Sequence, residues 1–482
     1  MGKYRETLEK ANEAVLKLEK IASADYHREA YHFMPPAGWM NDPNGLIRHG
    51  ETYHMFYQHH PYKPEWDDMY WGHAVCRDLL HWEHRPIAIA PFEPYDIDGV
   101  YSGSSVEVDG VVNIFYTGVY AENGEARQCQ CRAKLMDDGI TVVKDQNNPV
   151  IVYPPEGYSK TDFRDPKVFL HDGVYYLVAG SSKENRGVML LFTTRDFVHF
   201  TFQSQLVEND SPKDIMWECP DLVDFGDKQI LFESRITDEY MDNIYFSGRV
   251  DFQKGKFTET CRGKLDYGVD YYAAQSFSDG NRKIVIAWMD MWQMEHPTER
   301  QGWVGAMTLP REIRVGEDGA AVITPCKETE MLRRGAPQVL ENLSLQDPGT
   351  DRFHALDGDC VELKLRFAYE ANSKFTIRLR GSVDGTQYTS IEVDTEKKEL
   401  HMNRSASGEG KLKDSFCPFR EKDGQLDLHI FVDHSSIEVF VNDGEAVMTN
   451  RIYPSPDSIH ADLFMSEGTC TLVKAEAYAL SL

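Results

Sequence analysis

No run of apolar residues in this sequence approaches the roughly 18 needed to cross a bilayer as a helix. The opening stretch MGKYRETLEKANEAVLKLEK lacks the apolar core that a secretory signal requires. Positive charge is also scarce, with 51 Lys and Arg against 78 Asp and Glu, a net charge of −27. Nucleic acid and anionic lipid are held by basic side chains that neutralise phosphate, so neither is an expected partner. Nine cysteines are scattered without one C-x-x-C pair, and Cys129-x-Cys131 stands alone. A cysteine zinc site or a disulfide framework is therefore not expected. These absences point to a soluble chain in a reducing cytoplasm, without membrane or nucleic-acid partners. A homo-oligomer is compatible with them and not required by them.

What is present divides along the chain. At 482 residues it exceeds the roughly 250–300 that one hydrophobic core supports, so at least two bodies are expected. Residues 1–29 form a helical segment, because Leu8, Ala11, Val15, Leu18 and Ala22 recur at helical spacing. That face is expected to pack on the main body, with a dimer contact as the alternative. Residues 30–330 change to short β-runs punctuated by turns. Five runs resemble one another: TYHMFYQ (52–58), VVNIFYTG (111–118), GVYYLVAG (173–180), KQILFES (228–234) and RKIVIAWM (282–289). Each accompanies a turn glycine, at Gly50, Gly110, Gly173, Gly226 and Gly280, spaced 53 to 63 residues apart. A hairpin repeated at this period predicts a five-bladed β-propeller. Residues 331–350 read as a linker. From 351 to 482, alternating segments such as VELKLRF, LDLHIFVD and SIEVFV predict a β-sandwich. The fold expected is all-β: a propeller, then a sandwich, with a short N-terminal helix.

Eight residues before each turn glycine stand Asp42, Ser102, Asp165, Glu218 and Tyr272. Equivalent positions in radially repeated blades face one funnel, which would gather three carboxylates. Taken singly, Asp42-Pro43 and Asp165-Pro166 are ordinary turn dipeptides. Taken together they predict a shared site, in which like charges should raise at least one carboxyl pKa. Two carboxylates flanking a scissile bond are the usual equipment for glycoside hydrolysis. Asp42, among small polar groups, is expected to stay charged. Glu218, between Trp217 and Cys219, is expected to be desolvated and to suit a general acid. Asp165 is expected to be kept ionised by the adjacent Arg164.

The motifs WMNDPNG (39–45), WGHAVCRDLLHW (71–82), YSGS (101–104), FRDP (163–166), WECPD (217–221), DYGVDYYAAQSF (266–277) and AWMDMW (287–292), with DHSSIEVFVNDG (433–444), closely resemble glycoside hydrolase family 32, the β-fructofuranosidases. The resemblance covers residues 30–482 and implies a retaining hydrolase that uses no metal or cofactor. It implies Asp42 as nucleophile, Asp165 as transition-state stabiliser and Glu218 as acid/base. It places Asn41, Gln58, Trp66, Ser102, Arg164 and Trp288 against fructose, and Tyr272 near the carboxylates. Tyr101, where the family often has Phe, would add a hydroxyl to the rim. Trp66 and Trp71 have a core role as the alternative. The implied substrates are sucrose, sucrose 6-phosphate or short fructo-oligosaccharides. Asp67 and Asp68 near Trp66 would oppose a phosphate there, while Lys183, Arg186 or Arg235 would favour one. The competing readings are an inverting arabinan- or xylan-type propeller glycosidase and a non-catalytic sugar-binding propeller.

Overall fold

The computed structural model describes residues 2–208, 214–237, 239–345 and 353–482. Five sheets of four or five strands come first, followed by a six-stranded and a five-stranded sheet. In each of the first five sheets, one chain-leading strand runs toward a common centre: Gly38–His49, Gly99–Val108, Phe163–His171, Asp214–Asp224 and Tyr272–Asp279. These inner strands touch one another in a closed cycle, the fifth returning to the first. Trp303–Val304 also pairs in parallel with Gly38–Trp39, tying the end of this body to its start.

Side chains stitch every junction of the cycle. Asn44 accepts the Gly103 N–H at 3.2 Å, and Ser104 donates to the Pro166 carbonyl at 2.7 Å. Lys167 donates to Asp221 at 2.9 Å, and Asp221 accepts the Ser276 N–H at 2.7 Å. Asp279 closes the ring by accepting from Arg48 at 2.5 Å and Tyr53 at 3.0 Å. These bonds pair many of the polar groups buried near the axis, while Asn44 Nδ2 and Gln275 Oε1 are left without a partner.

The helix Gly2–Ala22 lies along the edge strand Glu83–Ile89 of the first sheet. Ala11 is fully buried there beside Tyr70, Ile87 and Ala90, with Leu8 and Val15 packed alongside. Asn12 accepts the Ile87 N–H at 3.0 Å, so an exposed sheet edge is covered.

The stretch read as a linker is mostly strand. Arg333–Ser344 pairs with Cys470–Leu480 at the edge of the six-stranded sheet. Its polar composition suits an edge position, and its pairing partner lies over a hundred residues away, beyond local pattern. The remainder of that stretch, 346–350, lies outside the described residues. The two larger sheets enclose one core that includes Leu363, Phe367, Ile377, Ile391, Ile430 and Val439.

Candidate active site

Every inner strand carries one extra residue near the mouth of the ring. Across Met40–Pro43, Arg164–Lys167, Glu218–Asp221 and Tyr272–Gln275, three steps oppose two on the partner strand. Across Tyr101–Gly103, two steps oppose one. Such bulges bend the strand and re-aim side chains. Asp165, Cys219 and Ala273 take up the strain in left-handed backbone, with φ of 61°, 48° and 52°. The true register equivalents are therefore Met40, Tyr101, Arg164, Glu218 and Tyr272. The expected set keeps Glu218 and Tyr272. Ser102, Asp165 and Asp42 fall one or two places further, because the glycine does not hold the same place in every turn and the first strand has a second irregularity between Asn44 and Ile47.

The three carboxylates nevertheless converge. Asp42 accepts from Asn41 Nδ2 at 2.9 Å through Oδ1, and from Ser102 Oγ at 2.5 Å and Cys219 Sγ at 3.3 Å through Oδ2. Trp39 Nε1 donates to Asn41 Oδ1 at 2.8 Å, which fixes the amide. Cys219 also donates its backbone N–H to Asp165 Oδ2 at 2.8 Å. One bulge residue thus bridges two carboxylates and follows the third, Glu218, in the chain. Asp165 is further held by its own N–H, donated to Thr117 Oγ1 at 2.9 Å.

Arg164 does not pair with Asp165 as expected. Its Nε and Nη2 both donate to Glu218 Oε1, at 3.0 and 2.9 Å, while Nη1 reaches Gln128 Oε1 at 3.1 Å. Tyr272 completes the set, donating to Glu218 Oε2 at 2.6 Å. Strand alternation holds up to Arg164 and is broken by the bulge at Asp165, which turns to the Cys219 amide instead. The same alternation turns the Trp217 ring away from Glu218, onto Phe246 and Gly187. Glu218 consequently keeps 20% of its side chain exposed, and the deeper burial falls on the two aspartates. Burial, with the charge of Glu218, raises the Asp42 carboxyl above its ordinary value despite its three donors. Burial outweighs Arg164 at Asp165 as well, and pushes it up to about 7.

Aromatic rings build the rest of the mouth. Trp39 stacks on Trp292 at 5.6 Å, with Trp288 behind them at 5.9 and 5.0 Å. Trp66, 47% exposed, meets Tyr101 and Trp292 edge-on at 6.1 and 6.3 Å. Trp66 and Tyr101 therefore lie at the rim, whereas Trp288 is fully buried and backs the wall. Trp71 is a core residue, fully buried against Phe56, with its N–H on the Tyr101 carbonyl. Gln58 is buried and ties the first sheet to the second through the Val100 carbonyl at 3.0 Å.

The charges expected to favour or oppose phosphate are largely engaged. Lys63 bridges Glu65 and Asp67 at 3.3 and 3.0 Å. Arg235 is clamped by Asp242 at 2.7 and 2.8 Å, and Lys183 sits over the Tyr158 ring. Cys219, Gln128, Thr117, Trp39 and Trp292 were not singled out from sequence. Trp39, Cys219 and Trp292 stood inside quoted motifs and Thr117 inside the repeated run VVNIFYTG, whereas Gln128 carries no local signal.

Comparison with known proteins agrees with this architecture. The family model for the N-terminal domain of glycosyl hydrolases family 32 matches residues 32–325, and that for the C-terminal domain matches 328–479. Sucrose-6-phosphate hydrolase of Escherichia coli is 37% identical, over 96% of this chain and 97% of its own. Raffinose invertase of Escherichia coli is 34% identical, over 94% of each. A variant of the Bombyx mori GH32 beta-fructofuranosidase, solved in complex with sucrose, superposes with a TM-score of 0.84 at 29% identity, covering 98% of both chains.

Proposed function

Because the chain belongs to glycosyl hydrolase family 32, we propose that it is a β-fructofuranosidase that releases terminal fructose from sucrose, sucrose 6-phosphate or short fructo-oligosaccharides. The observation that carries the reading is the carboxylate cluster, in which Asn41, Ser102 and Cys219 aim one buried aspartate while Arg164 and Tyr272 hold a partly exposed glutamate.

Asp42 attacks the anomeric carbon and forms a fructosyl-enzyme with retention after the second displacement. Its three donors, spread over both oxygens, fix the carboxylate, which limits the reorganisation needed to reach the transition state. Glu218 protonates the departing glycosidic oxygen and then takes a proton from the incoming water. Its exposure suits exchange with substrate and solvent. Retention calls for carboxyl groups about 5–5.5 Å apart, and the contact from Cys219 to Asp42 supports such closeness for its neighbour Glu218. Asp165, adjacent to both, takes fructose hydroxyls and offsets oxocarbenium charge. The rim of Trp66 and Tyr101 faces the leaving group.

The five sheets are read as the blades of a propeller over 30–330 and the two larger ones as a sandwich over 351–482 joined by the strand Arg333–Ser344, with the helix in 1–29.

The test follows the first-formed product by NMR, with Asp42→Asn and Glu218→Gln in parallel. Retained configuration at the fructosyl carbon and a kcat lowered by several orders of magnitude in each variant are expected. An inverted first product overturns the mechanism, and near-normal turnover in either variant removes that residue from its role. Values of kcat/KM on sucrose, sucrose 6-phosphate and kestose rank the leaving groups.

A further inference from the structure

The sandwich holds a convergence of metal-binding side chains that the carbohydrate chemistry does not use. The 3-10 turn His354–Leu356 precedes the strand Val361–Tyr369, and Asp357 closes that turn. His460 opens the strand His460–Glu467, over a hundred residues later. Both imidazoles direct Nδ1 at the same oxygen, Asp357 Oδ2, at 3.0 Å from His354 and 2.9 Å from His460. The other oxygen, Oδ1, accepts the Ala461 N–H at 2.8 Å, so the carboxylate is oriented by backbone.

We propose that His354, Asp357 and His460 form a zinc-binding site at the edge of the sandwich. The three ligand atoms all lie within 4.8 Å of one another. In a tetrahedron with bonds of about 2.0 Å the ligand atoms are about 3.3 Å apart, so the two imidazole–carboxylate pairs, at 3.0 and 2.9 Å, need to open by only a few tenths of an ångström. Two imidazole nitrogens and one carboxylate are a donor set that zinc prefers. The Ala461 amide is the kind of outer contact that pre-orients a ligating carboxylate. His354 is 69% exposed, which leaves an entry path and a fourth position for water.

Two other His-containing clusters among the described residues bring only one imidazole each. His32 directs both ring nitrogens at carboxylates, Asp433 at 2.8 Å and Glu438 at 3.1 Å, so it has no nitrogen to spare. His434 spends Nδ1 on the Arg28 carbonyl at 2.7 Å. In the proposed site each ring has one recorded bond, and both bonds go to the shared ligand. A bound ion would clip the start of the sandwich to its penultimate strand, stabilising the fold by mass action.

The test titrates Zn²⁺ into the full-length protein by calorimetry, with Co²⁺ absorption and thermal unfolding alongside. One ion per chain with a Kd on the order of 1 µM is expected, weaker than four-ligand structural zinc. Tetrahedral Co²⁺ bands and a rise in Tm with Zn²⁺ should accompany it. His354→Ala, at an exposed position, should fold normally and weaken binding by at least about 100-fold. His460→Ala should do the same, and fructoside hydrolysis should stay unchanged in His354→Ala. Because an acidic chain takes up Zn²⁺ loosely elsewhere, the decisive quantity is the difference between wild type and variants. Equal binding in wild type and His354→Ala overturns the proposal, as does a Tm that Zn²⁺ raises equally in both.

Discussion

Cys219 is the residue on which the geometry of the site turns. Its thiol donates to Asp42 and its amide to Asp165, so it supports two carboxylates of different roles. Replacing Cys219 with Ala keeps the amide bond and removes only the thiol. A hydrogen bond to a charged group is worth about 1.5–3 kcal/mol, and sulfur lies at the weak end, so kcat should fall about tenfold. The thiol favours the ionised form of Asp42, so its loss should move the acid limb of the pH–rate profile upward. A Cys219→Ala enzyme with unchanged kcat and unchanged acid limb removes the thiol from the mechanism.

Glu218 offers the complementary measurement. Its negative charge raises both Asp42 and Asp165, beyond what burial does to each. With Asp165 pushed up to about 7, the acid limb of kcat/KM should lie above the ordinary carboxylate value of about 4. Glu218→Gln removes that charge and releases Arg164, and both changes favour ionised aspartates. Measured on a fructoside whose leaving group needs no acid, the limb should move to lower pH. A limb that stays in place would mean that these aspartates do not set it.

At the scale of strands, the site depends on how closely the third and fourth sheets approach. A Cβ on Gly180 would lie 2.2 Å from the Trp217 carbonyl, and one on Gly187 would lie 2.4 Å from the Trp217 ring. Two glycines thus make room for the residue that precedes Glu218. Gly180→Ala should push that segment off Arg164, costing about 1–3 kcal/mol of stability by overpacking. A displacement near 1 Å costs about 10²-fold in rate, so kcat should fall more than stability alone suggests. Urea unfolding and kcat on one preparation check both, and a fully active, fully stable Gly180→Ala would refute the tight approach.

The strands show where local pattern ends. The turn glycines were legible because their job is local: Gly50, Gly110, Gly173, Gly226 and Gly280 all adopt positive φ, between 60° and 89°. The bulges were not legible, because an extra residue is defined only against a partner strand. Nor were the place of the glycine in each turn and the second irregularity of the first strand, between Asn44 and Ile47, which is why Asp42, Ser102 and Asp165 were found by counting yet assigned a register they do not share with Glu218. Arg164 was tied to its sequence neighbour, whereas the fold sends it across to the next sheet. The strand Arg333–Ser344 passed for a linker because its exposed residues alternate with no buried face.

At the scale of the molecule, two motifs quoted for their resemblance hold the two bodies together. Asp266 and Asp270 of DYGVDYYAAQSF meet Arg311 at 2.7 Å and Arg404 at 2.5 Å, and Glu438 of DHSSIEVFVNDG meets Arg311 at 2.9 Å. His32 sits buried between Asp433 and Glu438, in the segment that leads into the first inner strand. Burial alone would lower its pKa, but the two carboxylates prevail and raise it to about 10. Asp433 is correspondingly held well below the usual carboxylate range by His32 and backbone amides, against its burial. Below the unfolded value of about 6.5 the imidazole is protonated in both states, so its full contribution is present there. As pH rises further, the unfolded chain sheds the proton first, and the contribution declines until it is lost near pH 10. The aspartate behaves oppositely, contributing above about pH 4 and fading as acid protonates it. The joint should therefore be firmest from about pH 5 to 6.5 and loosen steadily toward pH 10. His32→Gln leaves Asp433 buried without a cation, while Glu438 keeps Arg311, and breaking a buried pair in this way costs about 3–5 kcal/mol in comparable cases. Its Tm should lie well below wild type at pH 6 and converge toward it by pH 10, because wild type has by then lost what the variant never had. Parallel unfolding curves across that range would show that the buried imidazolium does not join the two bodies.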